Sequence, residues 1–490
     1  MASLHRDFTR GNILGHLIRF GAPFLLSNFV QALYNVTDML VVGNFSSTQA
    51  LSGVTNGGQI TNVAVMVVSG LTVGGTILVG QYYGAKREKD VSRTIGTLFS
   101  VLGLAAVAFT LLVIALADPI LRLIQTPASA MDEARAYLKI CMLGNIFVFG
   151  YNAVSAVQRG LGDARRPLIF VGIACAINIV LDIWFVKGFG MGAAGAAWAT
   201  IIAQGVSVLL AAGYLSRSKF LFDFKWKSFA IDREKLRMIF KIGLPSSAQS
   251  LVVSVSFLTL TALTNVFGDS ASAAGGVVGK LNSFAILPVL AIQQSISAIA
   301  AQNIGAGRSD RALEALKKGI LFSFILGAAV FAVVQWIPGP LVALFSTDPL
   351  VIQAGTSYLR AFSFEYLLVP FVFSFGGLVI ASGHTMFSLV LALLSSIILR
   401  IPAAWILSRQ IGLAGVGLGA PIATLGSSFI GLWFVLSGRW RENRTGIHAL
   451  EAVEMEEAAA LFVPGSEGAA EDLITKHDAR CKKAPGFFLA

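Results

Sequence analysis

Twelve apolar runs set the terms for this chain. They lie near residues 15–42, 52–80, 94–117, 135–159, 167–187, 191–215, 239–267, 272–301, 317–344, 355–381, 385–408 and 413–437. Each reaches the roughly 20 residues that a helix needs to cross a bilayer's hydrocarbon. They show no sustained polar/apolar alternation and are too long for barrel strands. Backbone polar groups inside lipid must be satisfied within the protein, and helices do this. The expectation is an all-α membrane protein with twelve transmembrane helices. Composition agrees. Of 490 residues, 55% are hydrophobic and only 13% are charged, against about 25% in soluble proteins. A wholly soluble enzyme and a disordered chain are both excluded.

The net charge of +11 would suggest nucleic acid in a soluble protein. Here Lys and Arg first report orientation. With the N-terminus cytoplasmic, 24 basic residues fall in inside segments and 7, Lys280 among them, in outside ones. Both termini are therefore expected in the cytoplasm, and the charge faces anionic membrane lipid, not nucleic acid. Arg6 and Arg10 precede the first run without a small-residue cleavage site, so that run is read as an anchor. Cys141, Cys175 and Cys481 make no disulfide framework or metal cluster. Gly276-Val-Val-Gly-Lys280 lacks the first Gly and the closing Ser/Thr of a phosphate loop. Neither an enzyme nor a cofactor is expected, only a coupling ion.

The chain repeats itself. Gln81-Tyr-Tyr-Gly-Ala85 matches Gln302-Asn-Ile-Gly-Ala306 at an offset of 221, and Gly21-Ala-Pro23 matches Gly243-Leu-Pro245 at 222. Tyr137-Leu-Lys139 matches Tyr358-Leu-Arg360 at 221, and Thr200 matches Thr424 at 224. Six spans per copy is an even number, so the copies run in the same direction. Two pseudo-symmetric six-helix lobes around a central cavity are expected, related by an axis along the membrane normal. The lobes are assigned to 1–225 and 226–445, with a cytoplasmic tail at 446–490. An amphipathic helix is expected over Ile447–Phe462 of that tail.

Chemistry is sparse. Asp38, Asp182 and Glu365 are the carboxylates inside the spans, with Arg19 near one end and Arg400 well inside. A charge at the bilayer centre costs about 2.5–3.5 kcal/mol on insertion scales, so such residues mark ion or proton handling. Gln31, Tyr34 and Asp38 follow i, i+3, i+7 on one helix face. Asn178 and Asp182 are one turn apart. Asp38, Asp182, Asn178 and Thr200 can meet in the outer half of the first lobe, where two close carboxylates share a proton or hold a cation, H+ or Na+. The repeat places Thr259 or Leu260 at the position of Asp38 and Pro402 or Ala403 at that of Asp182, so coupling reads as one-sided. Glu365 and Arg400 form a second-lobe polar pair, either structural or functional. Pro23 offers a bend in the first span, fifteen residues before Asp38.

These residues resemble a known family. Pro23, Gln31-Ala-Leu-Tyr34-Asn-Val-Thr-Asp38, both Gln-x-x-Gly-Ala motifs and the Asn178–Asp182 pair with Ala199-Thr200 are similar to the multidrug and toxic compound extrusion (MATE) transporters, prokaryotic branch, over about residues 10–440. The resemblance implies export of cationic, amphipathic compounds in exchange for H+ or Na+ across the bacterial inner membrane, by a monomer. It implies coupling at Asp38 and Asp182, with Na+ at that pair in the Na+ case. Tyr34, Gln31, Asn152, Asn178 and Thr200 would be their polar partners and Pro23 the bend. The alternatives are a lipid-linked precursor flippase, which needs a cavity rich in Arg and Lys, and a channel or non-transporting receptor.

Overall fold

A computed structural model describes residues 6–217 and 221–447. Nearly all of the expected tail, its helix and Cys481 lie outside the described residues. Among those described, ten single helices and two bent pairs are long and apolar enough to span a membrane. We number them α1 (Ile13–Phe45), α2 (Thr48–Gly84), α3 (Glu88–Ala115), α4 (Ala128–Leu143 + Asn145–Gly160), α5 (Arg165–Gly188) and α6 (Gly192–Ser216). The second set is α7 (Arg233–Asn265), α8 (Asp269–Gly305), α9 (Ser309–Trp336), α10 (Pro349–Phe362 + Glu365–Ala381), α11 (Thr385–Ile411) and α12 (Leu413–Leu436). The two bent spans, at 47° in α4 and 44° in α10, are repeat equivalents. So are two short helices that the hydropathy runs hide, Ala117–Leu123 and Pro338–Ala343. The ninth span accordingly ends at Trp336 instead of 344, where Pro338 and Pro340 start a separate helix.

Local signals place the starts. Asn12 caps α1 through the amides of Leu14 and Gly15, Ser47 caps α2 and Asp232 caps α7. Pro23 and its repeat Pro245 both lie inside helices. The expected bend at Pro23 is not a break, since α1 runs continuously through it, and Ser27 Oγ donates to the Pro23 carbonyl at 2.9 Å.

The lobes close on each other at one end, here termed basal, where residues 6–12, 84–88, 305–309 and 444–447 gather. Gln81 Nε2 donates to the Ala381 carbonyl at 2.6 Å, and Gln302 Nε2 donates to the Gly160 carbonyl at 3.0 Å. Both members of each bond are offset by 221, so the repeated glutamines form a reciprocal clamp between lobes. The motif's glycine has a steric reason. A Cβ at Gly84 would sit 1.9 Å from the Gln302 carbonyl oxygen, and one at Gly305 would sit 2.0 Å from that of Gln81. Higher up, Gly70 and Gly243 let α2 and α7 touch backbone to backbone. The extensions are exchanged as well. The Phe8 amide donates to Gln302 Oε1 at 3.0 Å, and Thr445 Oγ1 donates to Gln81 Oε1.

Lys235, only 2% exposed, reaches across the basal joint from α7. Its Nζ lies 3.0 Å from Asp90 Oδ1 and 2.6 Å from the Tyr82 hydroxyl, both in the first lobe. Removing one member of a buried pair costs about 3–5 kcal/mol. Lys235→Met should fall near the low end of that range, because Arg87 still pairs with Asp90 at 2.8 Å. Chemical denaturation of the purified protein checks this; an unchanged midpoint would show that the pair contributes nothing net.

Candidate functional site

The site grows from three helices of the first lobe. Asp38 on α1 is 6% exposed; Asp182 and Asn178 on α5 are fully buried. Thr200 of α6 donates its Oγ1 to Asp38 Oδ2 at 3.3 Å. Asp182 and Asn178 lie against the Asp38 carboxylate, and Tyr34 is buried one turn before Asp38. Immediately after Asp182, α5 widens into a π-helical stretch, Ile183–Gly188, the kind of irregularity that accompanies functional sites.

Asp38 Oδ1, both Asp182 oxygens, both Asn178 amide atoms and the Tyr34 hydroxyl are buried without a hydrogen-bond partner. Neither aspartate has an ion-pair partner among the described residues. Buried polar groups are normally satisfied, and two adjacent carboxylates cannot both hold charge cheaply. Two carboxylates side by side can share one proton or jointly hold a small cation. Among the described residues no three His, Cys, Asp or Glu side chains cluster for a metal ion. A cation here would draw on the two carboxylates, Asn178 and Thr200.

Two expected partners do not join. Gln31 is exposed, because the face shared with Tyr34 and Asp38 turns out of the lobe by residue 31. Asn152 spends its amide on its own helix, donating to the Val148 carbonyl at 2.8 Å.

The second lobe holds a related arrangement in which the buried carboxylate faces a cation, although Glu365 Oε2 and Arg400 Nε and Nη1 are also buried without a hydrogen-bond partner. Thr424, the repeat of Thr200, donates to Glu365 Oε1 at 2.8 Å. Arg400, offset by 222 from Asn178, places Nη2 3.7 Å from the same oxygen and stacks over Phe257 at 5.0 Å. It ends that lobe's own π-helical stretch, Leu394–Arg400. Where the first lobe has two adjacent carboxylates and, among the described residues, no cation paired with them, the second has one carboxylate with a cation beside it.

Above the basal joint the distal halves of α2 and α8 carry matched stripes. Thr55, Gln59 and Asn62 are exposed on α2; their repeat equivalents Gly276, Lys280 and Ser283 are exposed on α8. Phe284, one turn below Lys280, meets Phe29 of α1 across the lobes at 6.4 Å. This face of α8 is therefore turned toward the first lobe. Lys280, read from hydropathy as an outside-segment charge, lies eleven residues into its helix, or about 16 Å. Its offset of 221 from Gln59 is the sequence signal that could have placed it.

Comparison with known proteins follows the same halves. The MatE family profile matches residues 23–184 and 245–406. The probable multidrug resistance protein YpnP of Bacillus subtilis (strain 168) is 32% identical over 440 residues, covering 89% of this chain and 97% of the relative. The probable multidrug resistance protein NorM of Thermotoga maritima is 25% identical, covering 87% and 93%. Among solved structures, an outward-facing multidrug resistance MATE transporter of the MOP superfamily has a TM-score of 0.82 at 23% identity, covering 88% of this chain and 97% of that one. A MOP superfamily transporter from Pyrococcus furiosus, described as having a binding pocket of reverse polarity, scores 0.83 at 22% identity, covering 89% and 98%. The two matched halves and the relationship to the Bacillus protein show that this integral membrane chain belongs to the MatE family, the multidrug and toxic compound extrusion transporters, and is not an enzyme.

Proposed function

We propose that the chain is a secondary multidrug efflux transporter of the bacterial cytoplasmic (inner) membrane, with both termini cytoplasmic, driven by H+ or Na+ through Asp38 and Asp182. The observation that carries this reading is the buried carboxylate pair with unpartnered oxygens, in a two-lobed fold clamped together at its basal end. With cytoplasmic termini, the clamped end faces the cytoplasm. Loading the pair from outside neutralises it and weakens the hold on a cationic substrate, which leaves; unloading inside resets the lobe. Relatives described as multidrug resistance and multidrug export proteins support the substrate breadth. Drug efflux from proteoliposomes under an imposed pH or Na+ gradient tests it. Saturable efflux driven by one gradient is expected; equal flux without either would overturn the reading. A lipid-linked precursor flippase would need a strongly basic cavity, and in the two matched stripes of α2 and α8 only Lys280 is charged.

Lys280 also sets an expectation for selectivity. A unit charge about 4 Å away in wet surroundings is worth about 1 kcal/mol, or about fivefold in affinity. Lys280→Gln should therefore improve the apparent affinity for permanently cationic dyes by roughly that factor, read from KM in vesicle efflux. Unchanged KM would place Lys280 away from the substrate path.

A further inference from the structure

A second polar cavity lies away from the aspartate pair. It encloses about 440 Å³ at the basal end of the second lobe, between the start of α7, the α10–α11 turn and the end of α12. Lys241, Arg439 and Arg444 line it, opposed by a single carboxylate, Glu442. Arg439 is also stacked over Trp433 at 5.4 Å. Lys241 Nζ donates to the Arg444 carbonyl at 3.3 Å, and among the described residues Lys241, Arg439 and Arg444 form no ion pair with a carboxylate. Three cations on one small cavity favour a phosphate, whose oxygens accept several charge-assisted bonds.

His384 refines the ligand. It lines the cavity and is 7% exposed. Ser382 Oγ gives its proton to the Val379 carbonyl at 3.0 Å, so its lone pairs accept from His384 Nδ1, also at 3.0 Å. With the ring proton on Nδ1, Nε2 is left as an acceptor, and it is buried with no partner. Burial, with the Arg444 charge behind it, pulls the ring down to about 4, so it is neutral at physiological pH. A neutral buried acceptor beside three cations calls for a hydroxyl on the same molecule as the phosphate. Met386 and Trp433, which line the cavity, are 60% and 54% exposed, an apolar approach suited to acyl chains.

The first lobe is a built-in comparison. At the repeat positions of Gly383 and His384 stand Gly162 and Asp163. Asp163 is paired with Arg166, and the residue 6–8 segment backs onto Gly162. The first lobe thus has no neutral histidine at the equivalent place, and its Asp163 is already engaged.

We propose that this cavity binds a hydroxyl-bearing phosphate ester, as found in the glycerol-phosphate headgroup of an anionic membrane lipid or in a free sugar or glycerol phosphate. Arg444 bonds through its amide to the Ser382 carbonyl at 3.3 Å, and its neighbour Thr445 holds Gln81 of the first lobe. A ligand here thus braces the basal closure.

The test uses the purified full chain in detergent and titrates short-chain phosphatidylglycerol, phosphatidylethanol, phosphatidylcholine and glycerol 3-phosphate. Phosphatidylglycerol should bind at least several-fold tighter than phosphatidylethanol, which lacks the hydroxyls, and tighter still than phosphatidylcholine. The Lys241→Gln, Arg444→Gln double variant should weaken it about tenfold, the loss expected for about 1.4 kcal/mol of charge-assisted bonding. Glu442→Gln should tighten binding, a gain that a merely damaged fold would not produce. Glycerol 3-phosphate binding as tightly as the lipid would support the site and assign a soluble ligand; markedly weaker binding would support it and assign lipid. Phosphatidylcholine binding equal to phosphatidylglycerol, or affinities unmoved in both variants, would overturn the proposal. Equal binding of phosphatidylethanol would overturn the part assigned to His384.

Discussion

Asp38→Asn should reduce gradient-driven drug exchange in proteoliposomes to the level of empty liposomes, while the protein purifies and unfolds like the wild type. The reason is the asymmetry of the cluster. Asp38 is the carboxylate that Thr200 holds, and Asp182 and Asn178 lie against it. An amide at 38 keeps the shape and can still accept from Thr200, but it leaves one carboxylate where the coupling step needs two. Removing one of two crowded acids should not harm the fold, since like charges in a poorly solvated place oppose each other. Asp182→Asn should give the same phenotype. Glu365→Gln should not, because Glu365 is a lone carboxylate whose Oε1 faces Arg400 and accepts from Thr424, with no second acid beside it among the described residues. Exchange retained by Asp38→Asn and lost by Glu365→Gln would move the coupling site to the second lobe.

The second large effect is expected at the basal clamp. Gly84→Leu or Gly305→Leu drives a side chain into a carbonyl of the opposite lobe that already lies about 2 Å from the position of a Cβ. Backbone cannot retreat as a side chain can, so the lobes must separate at this end. Pulsed electron resonance between spin labels at Lys89 and Lys317, both exposed, should show the interlobe distance lengthened and broadened, with transport lost. Gly103→Leu on α3 is the control, since a Cβ there meets nothing within 4 Å. Unaltered distances in the Gly84 variant would show that the clamp does not hold the closed end. Because the repeat exchanges the two motifs, the Gly84 and Gly305 variants should behave alike.

Much of this was legible in the sequence, and the limits have physical causes. Hydropathy located twelve spans because lipid leaves a helix few alternatives. It missed where spans bend or stop: Gly144 in α4, the Ser363–Phe364 step in α10 and Pro338 after α9 interrupt helices without interrupting apolarity. The scarcity of intramembrane carboxylates pointed to Asp38 and Asp182, and the structure brings them together with Asn178 and Thr200. Helical spacing alone could not separate Gln31 from Tyr34, because one helix face can pass from a lobe's interior to an exposed surface within a turn. For Asn152, sequence cannot tell a free amide from one bonded to its own helix. Lys280 was misread because hydropathy sees a cation near a span end, not which wall it stands on. The repeat contained both that answer and the clamp, in the offset that pairs Gln81 with Gln302 and Gly160 with Ala381.

The central claim is that drug and coupling cation compete through the first-lobe aspartate pair. Calorimetric titration of a drug into the purified protein, in two buffers of different ionisation heat and with Na+ present or absent, measures this directly. Binding should release protons, or should weaken as Na+ is added, and both responses should vanish in Asp38→Asn. Drug binding that releases no protons, ignores Na+ and is unchanged by Asp38→Asn would contradict the account.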